Sequence, residues 1–296
     1  MDEVYRSTIM KKFIKKISHI VPDKLYISLR YAAKHKKFPD FKNPKTFNEK
    51  LQWMKLYNRR PEYTVMVDKY EVKKHIADRI GEEYLIPTLG VWDKFDDIDF
   101  EKLPDAFVLK CTHNSGGLVL CQDKSKLDIQ AAKKKINASL SENYYWYSRE
   151  WPYKNVKPRI IAEPYMVDES GTELKDYKIF NFHGVPKIIE VDYNRFIGHK
   201  RNLYTTDWNY MDVRIHYPND PTVQIAKPVC LDQLLELAGK LSDGIPHVRT
   251  DFYVINGKIY FGELTFFHGA GWDKFTPESF GEEMGSWLTL PEVCKG

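Results

Sequence analysis

The sequence predicts an α+β protein with a mainly helical first part and mostly antiparallel strands in its second part. Apolar residues recur at helical spacing early in the chain, whereas short apolar runs separated by turn residues dominate after residue 105. The change of pattern falls at a loop-rich boundary around the acidic run at 93–99. We therefore divide the chain into a helical region over 1–100 and two α+β subdomains over 101–166 and 167–296.

The composition is that of a soluble globular protein. The 296 residues are 43% hydrophobic and 29% charged, with a mean hydropathy of −0.52. No apolar run reaches the roughly 18 to 20 residues of a membrane-spanning helix, and the first residues lack the apolar stretch of a signal peptide. The four cysteines lie far apart without a CxxC pair, which argues against a disulfide framework or a zinc site. We expect a cytoplasmic protein.

The N-terminal segment is strongly basic. Residues 1–40 carry ten Lys or Arg and four Asp or Glu, a net charge of +6, against +4 for the whole chain. Lysines alternate there with apolar residues at helical spacing: Ile9, Phe13, Ile17 and Ile20. Such a helix either lies on an anionic membrane surface or packs on the protein body with a solvated lysine face. We expect no nucleic-acid partner, because the remaining residues are slightly acidic.

Helix signals are clearest at four places. Thr46, with Glu49 three residues later, fits a capping box at the start of an amphipathic pattern. A second helix is expected near 67–80, where apolar residues repeat every four positions and Gly81 can end the helix. Two later helices are expected over 129–140 and 231–241.

The second part of the chain is rich in strand signals. Strands are expected over 107–111, 118–121 and 159–166, between 177 and 191 around His183-Gly184, and in a hairpin over 248–266 around Asn256-Gly257. Residues 200–225 are aromatic without a regular pattern, so we expect irregular structure there.

A glycine-rich loop, Thr112–Gly117, joins two of these strands. It lacks the GxxxxGK[ST] pattern and the following helix of a P-loop. Its Asn, Ser and Gly residues are typical of a flexible flap whose backbone N–H groups approach phosphate oxygens, and Lys110 just upstream can supply a charge. The alternative is an ordinary hairpin turn beside a surface lysine.

The hairpin over 248–266 carries two pairs of polar residues. Arg249 and Asp251 share one face of their strand, and Glu263 and Thr265 share one face of the next. A strict two-residue turn would place the pairs on opposite faces, so we predict a bulged three-residue turn or an equivalent slip, which makes them converge. Converging carboxylates beside an arginine suit Mg²⁺ that bridges nucleotide phosphates. The alternative is a solvated pair of charges, which the aromatic neighbours of Glu263 make costly.

Two further positions favour a nucleotide. Glu163-Pro164-Tyr165 stands at a strand end, where the backbone of a hinge can hydrogen-bond adenine. Lys178 stands inside an apolar strand; it favours an anionic ligand if it points into a cleft, and otherwise it extends to solvent.

The candidate residues follow one another along the chain as Lys69, Lys110 with the glycine loop, Glu163 to Tyr165, Lys178, Arg249 with Asp251, and Glu263. This order resembles the ATP-grasp superfamily. Six segments spread over residues 40–272 are similar to the TupA-like ATP-grasp family: FNEKLQWMKLY, VDKYEVKKHI, FVLKCTHNSGG, EPYM, DYKIF and VRTDFYVINGKIYFGELTFFHGAG. The resemblance implies an ATP-grasp fold, in which the antiparallel sheets of two α+β subdomains clasp ATP. The family is associated with bacterial cell-surface polysaccharides such as capsule and O-antigen.

The resemblance also implies roles for individual residues, with ATP and Mg²⁺ as cofactors. ATP would be bound by Lys69, Lys110, Lys178, a flap of Ser115, Gly116 and Gly117, and Glu163 and Tyr165 at the adenine pocket. Lys178 and Arg249 would hold phosphates or the developing acyl phosphate, and Asp251 and Glu263 would bind Mg²⁺. Thr265 is a candidate metal ligand, because it stands where many ATP-grasp enzymes have an Asn ligand. A second Mg²⁺ would therefore be held more weakly there, or water would complete its coordination.

The reaction implied by the resemblance is amide formation through an acyl phosphate. The expected carboxylate belongs to a uronic-acid-containing glycan or its precursor, and the expected amine is an amino acid or small amine. Four residues are candidate substrate contacts, unless they form only a charged surface loop: Arg195, Lys200, Arg201 and His268. The first three follow the strands expected between 177 and 191, and His268 follows the hairpin over 248–266. The basic N-terminal helix would suit work at the inner face of the cytoplasmic membrane.

Three other functions remain open from the sequence. A sugar kinase on the same scaffold would make ADP without releasing inorganic phosphate. A glycosyltransferase would consume a nucleotide sugar and ignore ATP. A non-catalytic binding protein would not need the intact set of charged residues.

Overall fold

The computed structural model describes residues 18–169, 171, 174–194 and 198–293. It confirms the α+β prediction, with helices followed by antiparallel sheets. The helices of the first part are α1 (Asp23–His35), α2 (Phe47–Tyr57), α3 (Glu62–Val67) and α4 (Val72–Ile80). No helix among the described residues is long and apolar enough to cross a membrane. The segment of basic helix predicted around residues 9–17 lies outside the described residues.

The predicted capping box begins α2. The Thr46 side chain accepts a hydrogen bond from the Glu49 N–H, and the Glu49 carboxylate accepts one from the Thr46 N–H. The helix predicted near 67–80 begins only at Val72. The Asp68 side chain accepts hydrogen bonds from the backbone N–H groups of Tyr70 and Glu71. These bonds hold the stretch before the helix as a turn.

The first sheet has four antiparallel strands in the order β1-β4-β2-β3. They are β1 (Gly90–Trp92), β2 (Phe107–Cys111), β3 (Leu118–Cys121) and β4 (Ile160–Pro164). Helix α5 (Ile129–Leu140) packs Ala132 and Ile136 against this sheet, and the short α6 (Tyr145–Ser148) follows. Strand β1 lies in the region predicted as helical, but it pairs with β4.

The second sheet has six antiparallel strands in the order β11-β10-β5-β6-β7-β8. They are β5 (Asp176–Phe182), β6 (Val185–Tyr193), β7 (Lys200–Thr205), β8 (Tyr210–Met211), β10 (His247–Ile255) and β11 (Lys258–Thr265). Helix α7 (Leu231–Ser242) covers this sheet with its apolar face. A small ladder joins β9 (Arg214–Ile215) to β12 (Phe275–Thr276), and α8 (Ser279–Trp287) packs near α2.

The prediction of irregular structure over 200–225 is wrong for its first half, where β7, β8 and β9 form. The pattern misleads because polar residues lie on both faces of a buried strand. Arg201 is paired with Asp192 on β6, and the Asn202 side chain donates to the carbonyl oxygen of Asp220. Because each polar group has a partner, the strand is buried without the apolar alternation that marks most strands.

The β10–β11 hairpin achieves the predicted convergence by a different route. Asn256 and Gly257 have positive φ and form a strict two-residue turn, so the bulged turn is wrong. The equivalent slip occurs at Gly262, which is the extra residue where the register shifts between Asp251 and Phe252. A Cβ at Gly262 would lie 3.0 Å from the Asp251 carbonyl oxygen, which explains a glycine at the bulge. Asp251 therefore pairs with Glu263.

Candidate active site

Residues of both sheets line a cleft with a volume of about 270 Å³. Three lysines come from the first sheet and the segment around α4: Lys69, Lys73 and Lys110. Three carboxylates come from the second sheet: Asp176, Asp251 and Glu263. The cleft brings together most of the predicted nucleotide and metal residues: Lys69, Lys110, Ser115, Gly117, Glu163, Lys178, Asp251 and Glu263. Two sheets that close on a charged cleft can hold an extended polyanion between them.

Glu163 on β4 is clamped between two lysines. Its carboxylate oxygens lie 2.7 Å from Lys73 Nζ and 2.6 Å from Lys110 Nζ. Burial raises the pKa of Glu163, but the two ammonium groups outweigh burial and hold that pKa below its usual value. The carboxylate therefore positions two lysines at the cleft, whereas the sequence reasoning placed it only at an adenine pocket.

Lys73 was missed by the sequence reasoning. It lies in the first turn of α4, four residues after Lys69, and its ammonium also donates to the Ile86 carbonyl oxygen at 2.6 Å. Lys69 precedes the helix and donates to the Asn114 carbonyl oxygen in the glycine loop at 2.9 Å. The four-residue spacing was the available signal, because both lysines fall in the helix predicted near 67–80 and this spacing would place them on one side of it.

A second, more apolar cavity of about 250 Å³ adjoins the charged cleft. Its walls come from β2, β3, the end of β4 and the start of the next segment: Ile86, Val108, Leu118, Leu120, Pro164, Tyr165, Met166 and Leu174. Lys110 and Glu163 line both cavities. An apolar slot beside a cationic cleft suits a heteroaromatic base with a charged tail, and Tyr165 lines this slot.

The glycine loop is held by Asn114. The Asn114 side-chain oxygen accepts from the N–H groups of Gly116 and Gly117 at 3.1 and 3.3 Å, and its amide donates to Ser139. A Cβ at Gly117 would lie 2.3 Å from Cys111 Sγ, so close packing requires glycine there, whereas Gly116 has open space around it. These two N–H groups are therefore engaged within the loop, and Ser115 lines the cleft.

Arg249 is buried and binds the two carboxylates, Asp251 and Glu263, that line one end of the cleft. Its guanidinium donates two hydrogen bonds to the Asp251 carboxylate, from Nε at 2.7 Å and from Nη2 at 2.6 Å. Nη2 also lies 3.4 Å from the Glu263 carboxylate. Burial lowers the pKa of Arg249, but the carboxylates outweigh burial and hold that pKa above its usual value. Thr265 accepts from Arg249 at 3.1 Å and donates to Glu263 at 3.1 Å, so it orients both groups.

The oxygen donors at this end suit a hard divalent cation. Asp251 and Glu263 face each other across the hairpin, and the Glu263 side chain is 41% exposed towards the cleft. Burial raises the pKa of Asp251, whereas Lys69 and Arg249 outweigh burial at Glu263 and lower its pKa. Among the described residues no group of three His, Cys, Asp or Glu forms a metal cage. Two carboxylates fit Mg²⁺, which usually completes its coordination with water and substrate phosphates.

Lys178 lies on β5, next to this site, and its side chain is buried. Its ammonium lies 3.0 Å from Asp176 and 2.7 Å from Asp192, and it pairs across the ladder with Asp251. The sequence left open whether Lys178 extends to solvent, and the structure excludes that orientation. It lines the cleft with its charge already shared by two carboxylates.

Three of the four predicted substrate residues are described, and these three do not form one cluster. Arg201 is buried against Asp192 and Glu190, at 2.7 and 3.0 Å. Lys200 is the neighbouring residue on the same strand, faces the opposite way and pairs with Asp220. His268 accepts a 2.7 Å hydrogen bond at Nδ1 from Arg249. Arg195 lies outside the described residues.

Because an arginine only donates, the bond from Arg249 fixes the tautomer of His268, whose Nε2 carries the proton. Burial is the largest cause that keeps the pKa of His268 well below its usual value, and the charge of Arg249 adds to it. His268 therefore accepts from Arg249 through Nδ1 and helps to orient the guanidinium.

The turn that carries His268 is strained and is held from α2. Gly269, Ala270 and Gly271 all have left-handed backbone angles, with φ of 53°, 52° and 64°. Gln52 donates to the carbonyl oxygens of Ala270 and Gly271 at 3.1 and 2.8 Å. Lys55 donates to the Ala270 carbonyl oxygen at 2.7 Å.

Lys55 is fully buried and bridges two segments. Its ammonium also donates to the Ser148 carbonyl oxygen at 2.8 Å, and it lies 4.3 Å from the centre of the Trp272 ring. Burial lowers the pKa of Lys55 to about 7, opposed by the nearby charge of Glu150. The sequence reasoning missed Gln52 and Lys55, because the helical pattern of α2 carries no information on which distant carbonyl groups its polar residues meet.

Comparison with known proteins identifies the family. None of the curated protein sequences matches the chain. Among solved structures, the chain is similar to D-alanine–D-alanine ligase from Bacillus anthracis in complex with ATP, with 16% identity over 68% of this chain and 54% of that one and a TM-score of 0.40. It is also similar to L-amino acid ligase from Bacillus licheniformis, with 17% identity over 76% and 49% of the chains and a TM-score of 0.43.

The chain thus spans about half the length of these solved proteins. The sequence profile of the family described as TupA-like ATPgrasp matches residues 49–289, which is most of the chain. The protein therefore belongs to the TupA-like ATP-grasp family, which confirms the family that the sequence resemblance predicted.

Proposed function

We propose that the protein is an ATP-dependent carboxylate–amine ligase. The observation that supports this most directly is that three lysines, Lys69, Lys73 and Lys110, line one cleft together with Asp251 and Glu263. Arg249 binds both of these carboxylates. The lysines suit the phosphates of ATP, and the apolar cavity next to them suits the adenine. The carboxylates suit the Mg²⁺ that accompanies a nucleotide triphosphate.

The reaction has two steps and needs no covalent nucleophile from the protein. A carboxylate oxygen of the donor substrate attacks the γ-phosphorus of ATP, which forms an acyl phosphate and releases ADP. The amine nitrogen then attacks the acyl carbon, the C–O bond to phosphate breaks, and inorganic phosphate leaves as the amide forms. Charge on the transferring phosphoryl group has to be offset throughout.

The residues of the chain would divide this work. Lys69 and Lys110 would hold the phosphate oxygens, and Arg249 would bind the transferring group while His268 and Thr265 keep its plane fixed. Mg²⁺ held by Asp251 and Glu263 would supply further positive charge for the phosphate oxygens. The glycine loop would exclude water, because an acyl phosphate hydrolyses if water reaches it.

For the substrates we propose a uronic-acid residue of a bacterial surface polysaccharide, or its precursor, and an amino acid or small amine. The association of the TupA-like family with such polysaccharides supports this choice. Among the predicted substrate contacts, His268 contacts Arg249, the residue that would bind the transferring group.

The test combines phosphate release with product mass. The protein is incubated with Mg-ATP, uronic-acid oligosaccharides and a pool of amino acids, and free phosphate and glycan masses are followed together. A ligase releases phosphate in step with a glycan that gains one amino acid minus water. A phosphorylated glycan with ADP and no free phosphate would instead identify a kinase and contradict the proposal.

A further inference from the structure

Helix α1 is apolar on two sides. Its inner side buries Tyr26, Ile27 and Tyr31, which are at most 5% exposed. Its outer side carries Leu25 and Leu29, which are 51% and 53% exposed and lie one helical turn apart. A surface helix normally presents polar residues to solvent on its outer side. We therefore expect an apolar surface outside the described residues to cover Leu25 and Leu29.

The apolar strip continues beyond Leu25 and Leu29. We call it the outer stripe; its members are Ile20, Leu25, Leu29, Ala33 and Phe38. Ala33 extends the four-residue spacing of the two leucines by another turn and is exposed. Ile20 is 83% exposed and Phe38 67% exposed, just before and just after α1. Exposed apolar residues are therefore present from just before α1 to just after it.

The surroundings of the outer stripe are positively charged. Four exposed lysines lie on α1 and directly after it: Lys24, Lys34, Lys36 and Lys37. The acidic residue of the helix, Asp23, is turned inward, where its carboxylate binds Arg59 and the Tyr145 hydroxyl, both at 2.6 Å. Its charge is therefore used inside the protein and does not neutralise the lysines.

The charge pattern decides between the surfaces that could cover the stripe. A second copy of this helix would bring like-charged lysines together, which opposes association. An anionic lipid surface attracts each lysine near it and accepts apolar side chains at the depth of the lipid headgroups. The preceding residues 1–17 extend the same charge sign in the sequence, with five basic and two acidic residues.

We propose that the outer stripe of α1 is a membrane-contact surface, which lays the protein against anionic lipid with Leu25 and Leu29 inserted and the flanking lysines at the headgroups. This moves the contact surface from the predicted segment around residues 9–20 into the folded body. The membrane contact is independent of the ligase reaction, so vesicle binding tests it without any assay of turnover.

The test is co-sedimentation of the full chain with vesicles of phosphatidylglycerol and phosphatidylcholine, compared with vesicles of phosphatidylcholine alone. The double variant Leu25→Glu/Leu29→Glu removes the apolar contact and adds two negative charges. The matched control is Val185→Glu/Val229→Glu, which makes the same charge change at two valines that are 50% and 97% exposed elsewhere. Thermal melting checks that both variants are folded.

We expect the wild type to bind the anionic vesicles and to be released by high salt. We expect the Leu25/Leu29 variant to bind roughly tenfold or more weakly than the Val185/Val229 control. Equal binding of the two variants would overturn the proposal, as would a wild type that ignores anionic vesicles.

Two further outcomes would assign the stripe elsewhere. If removal of residues 1–17 abolishes vesicle binding while the Leu25/Leu29 variant binds like the control, the contact belongs to residues 1–17 and the proposal is wrong. If light scattering finds a wild-type dimer that the Leu25/Leu29 variant converts to a monomer, with unchanged vesicle binding, the stripe is a contact between two copies.

Discussion

At the scale of single residues, the candidate site depends on charges whose partners are already in place. Arg249 is bound on four sides by Asp251, Glu263, Thr265 and His268. Such a guanidinium needs little reorganisation when negative charge develops near it, which is the condition for strong electrostatic stabilisation of a transition state. Glu263 is the exposed member of this group and the one best placed to meet a metal ion.

The first prediction concerns Glu263→Gln, which keeps the shape of the side chain and removes its charge. We expect turnover of ATP to fall by roughly a hundredfold or more, because a single group that stabilises the transition state contributes about that much. Formation of ADP is the measurement. The control is Glu283→Gln at an exposed position of α8, which we expect to be fully active. Wild-type turnover in Glu263→Gln would contradict the site assignment.

The second prediction is a pH dependence of stability that depends on Glu163. Its pKa is held below the usual value by Lys110 and Lys73, although burial acts in the opposite sense. Below the ordinary glutamate value of 4.5 the unfolded chain takes up the proton first, so the ion pairs stabilise the fold above that pH and are lost as pH falls through the folded pKa.

Urea unfolding of wild type and Glu163→Gln between neutral pH and pH 3 measures this effect. We expect the variant to be less stable at neutral pH by about 1–3 kcal/mol, and the difference to shrink in acid. A difference that stays constant with pH would show that the Glu163 charge does not stabilise the fold.

At the scale of secondary-structure elements, helix α2 connects the first part of the chain to the turn that carries His268. Gln52 and Lys55 both donate to the left-handed turn at 268–271, and that turn places His268 against Arg249. A Cβ at Gly271 would lie 2.3 Å from Gln52 Nε2, so the close approach of helix and turn also requires glycine there.

The third prediction is that Gln52→Leu lowers kcat by roughly tenfold or more and leaves the KM for ATP unchanged. The variant leaves two carbonyl groups of the turn without the Gln52 donor, and displacement of a catalytic group by a fraction of an ångström is costly. A matched control, Gln233→Leu, removes an exposed amide that binds the Tyr84 hydroxyl. Steady-state kinetics per folded molecule separates a change in kcat from a loss of protein, and an unchanged kcat would refute the positioning role.

The elements also show how far the sequence can predict this structure. Strands β2 and β3 form over the expected residues 107–111 and 118–121, because their apolar runs are bounded by clear turn residues. Strand β7 was missed, because its buried polar residues are satisfied by partners distant in the sequence, such as Asp192 and Asp220. Local patterns predict local structure, and they carry no record of such partners.

The candidate site shows the same limit. The order of Lys110, Asp251 and Glu263 along the chain was enough to expect a nucleotide and a metal. The bulge at Gly262, however, depends on how two strands fit together, and only the sheet register shows it. The contact of Gln52 with the turn at 268–271 joins residues more than 200 positions apart, so no window of sequence contains it.

At the scale of the whole molecule, each sheet supplies half of the cleft. The cationic half, with Lys110 on β2, and the carboxylate half, with Asp251 on β10, lie in separate sheets of four and six strands. A ligand that contacts both halves therefore also holds the two sheets together. Binding of such a ligand stabilises the folded chain by mass action.

The fourth prediction follows from this arrangement. We expect ATP with Mg²⁺ at about a hundred times its dissociation constant to stabilise the folded protein by about 2.7 kcal/mol, seen as a rise in the melting temperature. The rise should be much smaller for ATP with excess chelator and for Glu263→Gln. A nucleotide that leaves the melting temperature of the wild type unchanged would contradict the assignment of the cleft.

The most direct test of the central claim follows oxygen atoms from the carboxylate to phosphate. A uronic-acid oligosaccharide labelled with ¹⁸O in its carboxylate is incubated with the protein, Mg-ATP and amino acids, and the released phosphate is analysed by mass spectrometry. If the reaction passes through an acyl phosphate, the phosphate carries one ¹⁸O and the glycan amide retains the other. Amide formation with unlabelled phosphate would contradict carboxylate activation by phosphoryl transfer.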